Sequence, residues 1–255
     1  MKALISFLLK KVPRKYLQLV SHIGLRILAV FYFGGKVQCT VCDHTYRQFL
    51  PYGRVSRSNA LCPKCLALER HRLIWLYLQK KTNFFDGDLD VLHIAPELCF
   101  IRRFEILHGD RYITADLESP LAKVKLDVHD MPFQDNTFNV AFCNHVMEHV
   151  SDDVKAMKEI YRVLKPGGWA IIQIPLFYPL QDKTFEDFSI TDPREREKVF
   201  GQDDHVRLYG KDYIDRLRLG GFDAMEDDFV KSLSKEQIKR HALPAEEPIF
   251  LCKKV

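Results

Sequence analysis

The sequence predicts an α/β protein built on a doubly wound, mostly parallel sheet of seven strands, preceded by a small cysteine-bearing module. Short apolar segments typical of strands alternate with longer segments that have the apolar spacing of helices. The segment Phe138–Cys143 is largely apolar, as expected for a strand buried on both faces. Pro166-Gly167-Gly168 is expected to end a helix before another apolar strand. These observations together indicate a Rossmann-like sheet.

The apolar patterns place the elements as follows. The predicted strands are Asp90–Ile94, Tyr112–Ala115, Val124–Val128, Phe138–Cys143, Trp169–Ile174, Asp223–Phe229 and Ile249–Lys253. The predicted helices are Leu66–Lys80, Cys99–Leu107, Asp153–Leu164 and Lys211–Leu219. Ser151-Asp152-Asp153 predicts the amino-terminal cap of the third helix.

The chain of 255 residues suits one α/β domain with a small appendage. We predict a basic amphipathic helical segment at residues 1–36, a cysteine module with a connecting helix at 37–87, and the α/β domain at 88–255. Residues 176–207 form a long polar connection, which we interpret as a lid-like or ligand-binding insertion.

Residues 1–36 combine apolar residues at helical spacing with interspersed basic residues. They are expected either to pack against the α/β domain or to contact an anionic membrane surface peripherally. No charge-free stretch is long enough for a transmembrane span, and the start lacks the cleavage site of a signal peptide. The cysteine pattern favours a reducing compartment, so we expect a cytoplasmic protein that could lie peripherally at the inner membrane face. The net charge of +4 is too small to indicate nucleic-acid binding.

Four of the seven cysteines form two Cys-x-x-Cys pairs, which predict a structural Zn²⁺ site with four thiolate ligands. The predicted ligands are Cys39, Cys42, Cys62 and Cys65. The alternatives are thiols without a metal or a redox-active pair. The other three cysteines, in apolar settings, are expected to be buried free thiols: Cys99, Cys143 and Cys252.

Residues 127–168 resemble the class I S-adenosylmethionine-dependent methyltransferases, especially the branch that includes the quinone-biosynthesis enzymes. The resemblance is carried by Asp127-Val128, by Asn144-His145 after the fourth strand, by Glu148-His149, and by the segment 162–168. It implies S-adenosylmethionine as the cofactor. It also implies that the acid at the tip of the second strand, Asp116, binds the ribose hydroxyls and that Asp127 with Val128 contacts the adenine. Asn144 and His145 would line the cofactor end of the pocket.

The first motif departs from that family. A glycine-rich turn is expected after the first strand, but this chain has Ala95-Pro96-Glu97 there. His93 and Ala95 remain candidate cofactor contacts, and Glu97 is a candidate partner of the cofactor's ammonium group. The chain also resembles a group of uncharacterised bacterial methyltransferase-like proteins that combine such a turn with an N-terminal zinc ribbon.

The catalytic candidates are His145, as a general base, and a second cluster of His205 and Tyr209 that could close over a substrate together with Arg207. Each histidine has a structural role as its alternative. The segment His145-Val-Met-Glu148-His149 also matches the His-x-x-Glu-His motif of zinc proteases. That chemistry needs a helix, and a loop after a buried strand does not provide one.

The leading hypothesis is a methyltransferase that acts on a small molecule, a lipid-linked or glycan intermediate, or RNA. A second hypothesis is a non-catalytic module of the same fold that uses the zinc ribbon to hold a protein or RNA partner. Cofactor binding distinguishes the two, because only the first requires it.

Overall fold

The computed structural model describes residues 29–53 and 55–255, which belong to two compact units. The first unit comprises the described residues up to Asn83, with Glu97–Arg103 and Val230–Glu246. The second comprises Phe84–Pro96, Phe104–Phe229 and Glu247–Val255. Most of the predicted basic segment, residues 1–28, lies outside the described residues. Within the described part, no helix is long and apolar enough to cross a membrane.

The secondary structure follows the alternation seen in the sequence. The strands are β1 (Phe33–Gln38), β2 (Thr45–Tyr46), β3 (Leu50–Tyr52), β4 (Arg57–Leu61), β5 (Val91–Ile94), β6 (Tyr112–Asp116), β7 (Val124–Lys125), β8 (Phe138–Cys143), β9 (Leu164–Ile171), β10 (Phe185–Glu186), β11 (Arg207–Leu208), β12 (Asp223–Asp227) and β13 (Ile249–Lys253). The α-helices are α1 (Glu69–Lys81), α2 (Leu98–His108), α3 (Asp153–Val163), α4 (Pro193–Phe200), α5 (Tyr213–Leu219) and α6 (Lys235–His241). Short 3-10 turns occur at Phe84–Asp86, Gly109–Arg111 and Phe229–Ser232.

The first unit consists of two small antiparallel pairs, β1 with β2 and β3 with β4, together with α1 and α6. Helix α1 begins three residues later than predicted, because Leu66 adopts a left-handed φ of 63° that a helix cannot contain. Residues 230–246 belong to this unit, although the sequence analysis assigned them to the α/β domain.

A buried arginine explains why the C-terminal segment joins the first unit. The guanidinium of Arg72 donates to the carbonyls of Ala60 at 2.8 Å and Ala67 at 2.9 Å. It also donates to the carbonyls of His241 and Ala242, each at 2.7 Å. A fully buried cation needs such partners, and four converging carbonyls satisfy it. Arg72 therefore ties α6 to the cysteine-bearing module.

The second unit contains the predicted seven-stranded sheet, in the order β12-β13-β9-β8-β5-β6-β7. Strand β13 runs antiparallel to both of its neighbours, and the pairs β9–β8, β8–β5, β5–β6 and β6–β7 are parallel. The predicted fold class, a doubly wound and mostly parallel α/β sheet, is confirmed.

Three strand predictions needed correction. The predicted strand Asp223–Phe229 ends at Asp227, and the predicted strand Trp169–Ile174 ends at Ile171. The third strand ends at Lys125 rather than Val128, because Asp127 forms a turn with the backbone N–H of His129 at 2.9 Å. Strand β9 begins at Leu164, so the two glycines lie inside a strand and do not end a helix. A Cβ on Gly168 would lie 2.9 Å from the carbonyl oxygen of Asn139, so glycine permits this close approach to β8.

The core of the second unit lies on both faces of the sheet. On one face α3 buries Ala156, Met157, Ile160 and Val163, which recur at the spacing of one helical face. The side chain of Asp152 caps α3 by accepting from the N–H of Lys155, as the sequence predicted. The opposite face carries an aromatic cluster of Phe84, Phe104, Tyr112, Phe142 and Trp169.

The predicted insertion at residues 176–207 has secondary structure of its own. It contains β10 and α4, and β10 pairs with β11 at its end. The side chain of Asp192 caps α4, and Gly201 ends that helix with a left-handed φ of 83°. Movement of this segment as a lid stays a prediction.

Candidate functional site

The strand order of the second unit places a switch point between β5 and β8. From β5 the chain continues to β6 on one side, and from β8 it continues to β9 on the other. Ile94 and Cys143 are paired at the carboxyl ends of these strands. Open α/β sheets bind ligands in the crevice at such a point. The residues that follow Ile94 and Cys143 therefore form the candidate site.

The turn after β5 keeps a conformation that normally requires glycine. Ala95 has a φ of 50°, in the left-handed region, and its N–H donates to the carbonyl of Ala115 at 2.9 Å. An alanine pays about 1–2 kcal/mol for this conformation. The Ala95-Pro96 turn therefore lacks the expected glycines. Its backbone at Ala95 nevertheless has the left-handed conformation that a glycine would adopt.

His93, a predicted cofactor contact, lies elsewhere. Its side chain is fully buried in the aromatic cluster, with Nδ1 at 2.7 Å from the hydroxyl of Tyr112 and its ring against Phe104 and Phe142. This placement favours a structural role, and we leave His93 out of the proposed site. The alternation of side chains along a strand explains this placement. Leu92 and Ile94 pack in the core on one face of the sheet, so the side chain of His93 points to the other face.

The two predicted acids lie at the same edge of the sheet. Asp116 ends β6, and its Oδ1 accepts from the N–H groups of Glu118 at 2.8 Å and Ser119 at 2.7 Å. Asp127 Oδ1 accepts from the N–H of His129 and lies 2.7 Å from its Nδ1. These contacts lower the pKa of Asp127, the backbone N–H first and then the imidazole. Neither Oδ2 makes a hydrogen bond within the described residues, so each can accept from a ligand.

Val128, predicted to share the adenine contact with Asp127, is buried in the core cluster. The Asp127 carboxylate beside it is 57% exposed. Glu97 belongs to the first unit, where its Oε1 lies 3.8 Å from Nε2 of His71. Its predicted role as partner of an ammonium group remains untested.

The loop after β8, residues 144–151, is a turn and not a helix. The N–H of His145 donates to the carbonyl of Gln173 at 2.8 Å, and His145 has a left-handed φ of 56°. Asn144, the other predicted residue here, is buried beside it. The two histidines of the His-x-x-Glu-His segment are therefore not on one helical face, and the protease interpretation loses its geometric basis.

His145 is paired with a buried carboxylate. Its Nδ1 lies 3.3 Å from Oε1 of Glu148, whose side chain is 1% exposed. Burial alone would raise the pKa of Glu148, but the hydrogen bond from His145 and the charges of His145 and His149 lower it below its usual value. An ionised Glu148 assigns the proton to Nδ1 of His145. The Nε2 atom makes no hydrogen bond within the described part of the chain and is left as an acceptor.

Tyr209, a predicted catalytic residue, contacts the backbone of the loop after β8. Its buried hydroxyl lies 3.0 Å from the carbonyl oxygen of Met147 and 2.8 Å from Oδ2 of Asp153, and its one proton is shared between these two acceptors. Burial raises the pKa of Tyr209 well above its usual value. Arg207 also donates to Met147, and to the carbonyl of Val150 at 2.7 Å. Both side chains position the loop rather than close over a substrate.

His205, the other predicted catalytic residue, is fully buried. Its Nδ1 lies 3.2 Å from the carbonyl oxygen of Phe200, and its ring centroid lies 4.7 Å from that of His149. Burial lowers the pKa of His205, which favours the neutral ring. The structure thus brings His205 beside Glu148 and His149, a grouping that the sequence analysis did not predict.

A buried ion-pair network that supports the loop was also missed. Asp153 is 1% exposed and accepts from Arg216 Nε at 2.8 Å and Nη2 at 2.6 Å. Arg216 further contacts Glu186 at 3.0 Å, and Glu186 accepts from Arg207 at 2.9 Å. These residues lie tens of positions apart in the chain, so no local motif could have identified them.

The four predicted zinc ligands meet in the first unit. Sγ of Cys39 lies 3.6 Å from that of Cys65, and Sγ of Cys42 lies 3.6 Å from that of Cys62. The edge of a zinc–thiolate tetrahedron with bonds near 2.3 Å is about 3.8 Å. All four cysteines are buried, and no other described residue type joins their cluster. The donor set therefore fits a closed Zn²⁺ site.

The two Cys-x-x-Cys turns have the same backbone. The carbonyl of Cys39 accepts from the N–H of Asp43 at 2.8 Å, and that of Cys62 accepts from Leu66 at 2.9 Å. Asp43 and Leu66 both have a left-handed φ, 59° and 63°. Two equivalent turns aim two thiols each at one point. The scattered cysteines Cys99, Cys143 and Cys252 are buried and unbridged, as predicted.

Comparison with known proteins finds similarity to methyltransferases over part of the chain. Residues 108–172 match the family model described as a methyltransferase domain. The chain is 38% identical over 71 residues to the ubiquinone/menaquinone biosynthesis C-methyltransferase of Haemophilus ducreyi, covering 26% of this chain and 27% of that enzyme. It is 47% identical over 49 residues to a sterol 4-C-methyltransferase of Caenorhabditis elegans, covering 19% of this chain and 15% of that enzyme. The chain thus spans less than a third of each of these relatives.

A solved S-adenosylmethionine-dependent methyltransferase from Mesorhizobium loti superposes with a TM-score of 0.44 at 14% identity, over 70% of this chain and 94% of that one. The second unit has a mostly parallel, Rossmann-like sheet of seven strands, and residues 108–172 within that unit match the methyltransferase domain model. Dependence on S-adenosylmethionine is general to that family. The family match does not extend to the cysteine cluster, which lies outside residues 108–172.

Proposed function

We propose that this chain is an S-adenosylmethionine-dependent methyltransferase whose site lies at the carboxyl ends of β5, β6 and β8. The single observation that supports this most strongly is the position of Asp116 and Asp127. Each ends or follows a strand at the same sheet edge and has one carboxylate oxygen outside the local hydrogen bonding.

The residues at this edge fit the cofactor. Asp116 Oδ2 would accept from the ribose hydroxyls, and Asp127 beside Val128 would contact the adenine. The turn at Ala95 would line the methionine end, together with Asn144 and His145. When bound, the cofactor supplies an electrophilic methyl group on a sulfonium.

His145 would act as the general base where the acceptor must lose a proton. The acceptor atom would take the methyl group that the bound cofactor supplies. The proton of the acceptor passes to Nε2 of His145. Glu148, at 3.3 Å from Nδ1, stabilises the imidazolium that results. Most of the acceleration would come from holding the acceptor in line with the breaking bond.

The acceptor we propose is a small molecule or a lipid-linked intermediate. Two similar enzymes are named for sterol methylation and for ubiquinone/menaquinone biosynthesis, and both names favour this class. The net charge of +4 gives little support to RNA, which needs a more basic surface. A lipid-linked acceptor is also consistent with a cytoplasmic protein that contacts the membrane through residues 1–36.

We further propose that the four thiols of the first unit bind one structural Zn²⁺. Because four protein ligands complete the tetrahedron, this ion would have no position for water or substrate. Its contribution would be to hold the two Cys-x-x-Cys turns together in a unit whose strands are short.

A transfer assay tests the proposed activity. The full chain is incubated with S-adenosylmethionine labelled in its methyl group and, separately, with a lipid extract, a small-molecule extract, a glycan pool and total RNA. We expect label to enter the lipid or small-molecule fraction, with stoichiometric formation of S-adenosylhomocysteine. Label in RNA or glycan would overturn the acceptor class, and no transfer to any pool would favour the non-catalytic alternative.

A further inference from the structure

The second unit contains a group of three side chains with the chemistry of metal ligands, of which the methyl-transfer proposal uses only Glu148, as the partner of His145. Glu148, His149 and His205 each offer one ligand atom, and these atoms all lie within 4.8 Å of one another. Among the described residues, the only other group of this kind is the cysteine cluster.

Two of these three side chains have a buried polar atom without a hydrogen-bond partner. Oε2 of Glu148 and Nε2 of His205 make no hydrogen bond within the described residues, and their side chains are almost completely excluded from solvent. Leaving a buried polar atom unsatisfied costs about 1–3 kcal/mol, and more for a charged group. A cation between the carboxylate and the imidazole would satisfy both atoms.

The opposite nitrogen of each imidazole already faces an oxygen acceptor. Nδ1 of His149 lies 3.3 Å from the carbonyl oxygen of Asp204 and 3.6 Å from its carboxylate. Nδ1 of His205 lies 3.2 Å from the carbonyl oxygen of Phe200. Histidine ligands of metals almost always donate their second N–H to a carbonyl or carboxylate, which fixes the tautomer with the other nitrogen free to bind. Both rings therefore have the supporting contacts of metal ligands.

The separation of the ligands is fixed by the backbone. The N–H of Val206, next to His205, donates to the carbonyl of Glu148 at 2.9 Å. Arg207 holds the same loop through the carbonyls of Met147 and Val150. These contacts join two segments that are distant in sequence. They keep the side chains of Glu148, His149 and His205 close together.

We propose that Glu148, His149 and His205 bind one divalent first-row transition-metal ion. Two imidazoles and one carboxylate are ligands that suit Zn²⁺ and other divalent first-row transition metals. Mg²⁺ and Ca²⁺ instead prefer sites made of oxygen ligands. Three protein ligands leave at least one position for water or for an oxygen atom of a bound acceptor, as in catalytic rather than structural zinc sites. Oε1 of Glu148 can keep its contact with His145 while Oε2 binds the ion.

Zinc content of the full-length chain tests this proposal. After equilibrium dialysis against micromolar Zn²⁺, elemental analysis is expected to find about two ions per chain. His149→Gln and His205→Gln should each reduce this to about one. His108→Gln serves as the matched control, because His108 is a buried histidine of the same unit outside the group and should leave both ions in place.

Cobalt substitution identifies which site is lost. Co²⁺ bound to thiolates gives an intense near-ultraviolet charge-transfer band, and Co²⁺ bound by nitrogen and oxygen gives only weak visible bands. The two glutamine variants should lose the weak bands and keep the charge-transfer band. His149 is 34% exposed, so His149→Gln is expected to fold even if His205→Gln does not, and a thermal melt checks both.

Two results would overturn the proposal. One is a wild-type chain that binds no ion outside the cysteine cluster, seen as a cobalt spectrum with thiolate bands alone. The other is a second ion that persists unchanged in a folded His149→Gln variant, because that ion would lie elsewhere.

Discussion

The cysteine cluster of the first unit and the Glu148–His149–His205 group of the second are assembled in different ways. The cysteines come from two equivalent local turns, each closed by its own backbone hydrogen bond and a left-handed residue. The second group joins a loop after β8 to a segment far along the chain, through Arg207, Tyr209 and the N–H of Val206. One set of ligands depends on local geometry and the other on tertiary packing.

This difference bears on function. Four thiols can satisfy a tetrahedral ion completely, which suits a structural role. Within the described residues, buried atoms without hydrogen-bond partners instead occur on His145 and Glu148 of the loop after β8 and on His205 of the distant segment. Unsatisfied buried polar atoms are costly and are commonly associated with ligands or chemistry. We therefore assign chemistry to the second unit and stability to the cysteine cluster of the first.

The largest expected effect is on the cysteine cluster. Cys62→Ser should remove the metal and unfold residues 37–67, because the binding free energy of a structural zinc, on the order of 10 kcal/mol, contributes directly to folding. Zinc analysis and limited proteolysis measure both effects. Cys252→Ser, at a buried cysteine outside the cluster, should keep its zinc. Retention of the zinc by Cys62→Ser would show that the cluster is not a four-thiolate site.

The buried ion pair behind the loop should give the next largest effect. Asp153→Asn removes the buried carboxylate of the pair and leaves Arg216 with Glu186 alone, and breaking a buried pair costs about 3–5 kcal/mol. Urea unfolding measures the free-energy difference. Asp182→Asn, which breaks an exposed pair with Lys211, should cause no measurable change. Equal stability of the two variants would contradict the role of Asp153.

The same pair predicts a direction for pH dependence. Burial alone would raise the pKa of Asp153, but Arg216, Arg207 and Tyr209 lower it below its unfolded value. Its contribution to stability is therefore present above the unfolded pKa, near 3.9, and is lost as the pH falls through the lower folded value. Urea midpoints measured from neutral pH into this acid range should fall less steeply in Asp153→Asn than in the wild type.

His145→Gln tests the general base. The rate of transfer should fall by about 10²–10⁴, because the acceptor's proton loses its recipient. Affinity for S-adenosylhomocysteine should change much less, since the acidic residues that we assign to the cofactor are unaltered. Single-turnover rates and calorimetry separate the two effects. An unchanged rate would show either that the acceptor needs no base or that another group supplies it.

The smallest effect is expected at Tyr209. Tyr209→Phe removes one hydroxyl that holds the loop, at a cost of about 1–3 kcal/mol because Asp153 and the Met147 carbonyl lose a donor. If Tyr209 only positions the loop, the pH profile of the transfer rate should keep its shape while the rate falls modestly. A shift in that profile would show that the hydroxyl takes part in proton transfer.

Local patterns predicted much of this structure. Phe138–Cys143 and Ile249–Lys253 were placed at their observed bounds because their apolar runs admit only a buried strand. The Cys-x-x-Cys spacing identified four thiols that the structure brings together, because each turn is set by its own few residues.

Long-range packing could not be predicted in the same way. Residues 230–246 join the first unit through carbonyls that Arg72 reaches from far away in sequence. His93 and Tyr209 have the chemistry of site residues, but both are buried. His93 contacts the hydroxyl of Tyr112 in the aromatic cluster, and Tyr209 contacts Asp153 next to the loop after β8. Gly168 resembled a helix terminator, although its function is a close approach to a neighbouring strand.

Calorimetric titration with S-adenosylhomocysteine tests the central claim most directly, that the carboxyl edge of the second unit's sheet binds the cofactor. We expect micromolar affinity for the wild type and a loss of about tenfold or more in Asp116→Ala, since a hydrogen bond to a charged group contributes about 1.5–3 kcal/mol. Asp110→Ala, at an exposed acid of the same unit, should bind as the wild type does. No binding by the folded wild type, or equal affinity in the two variants, would contradict the account.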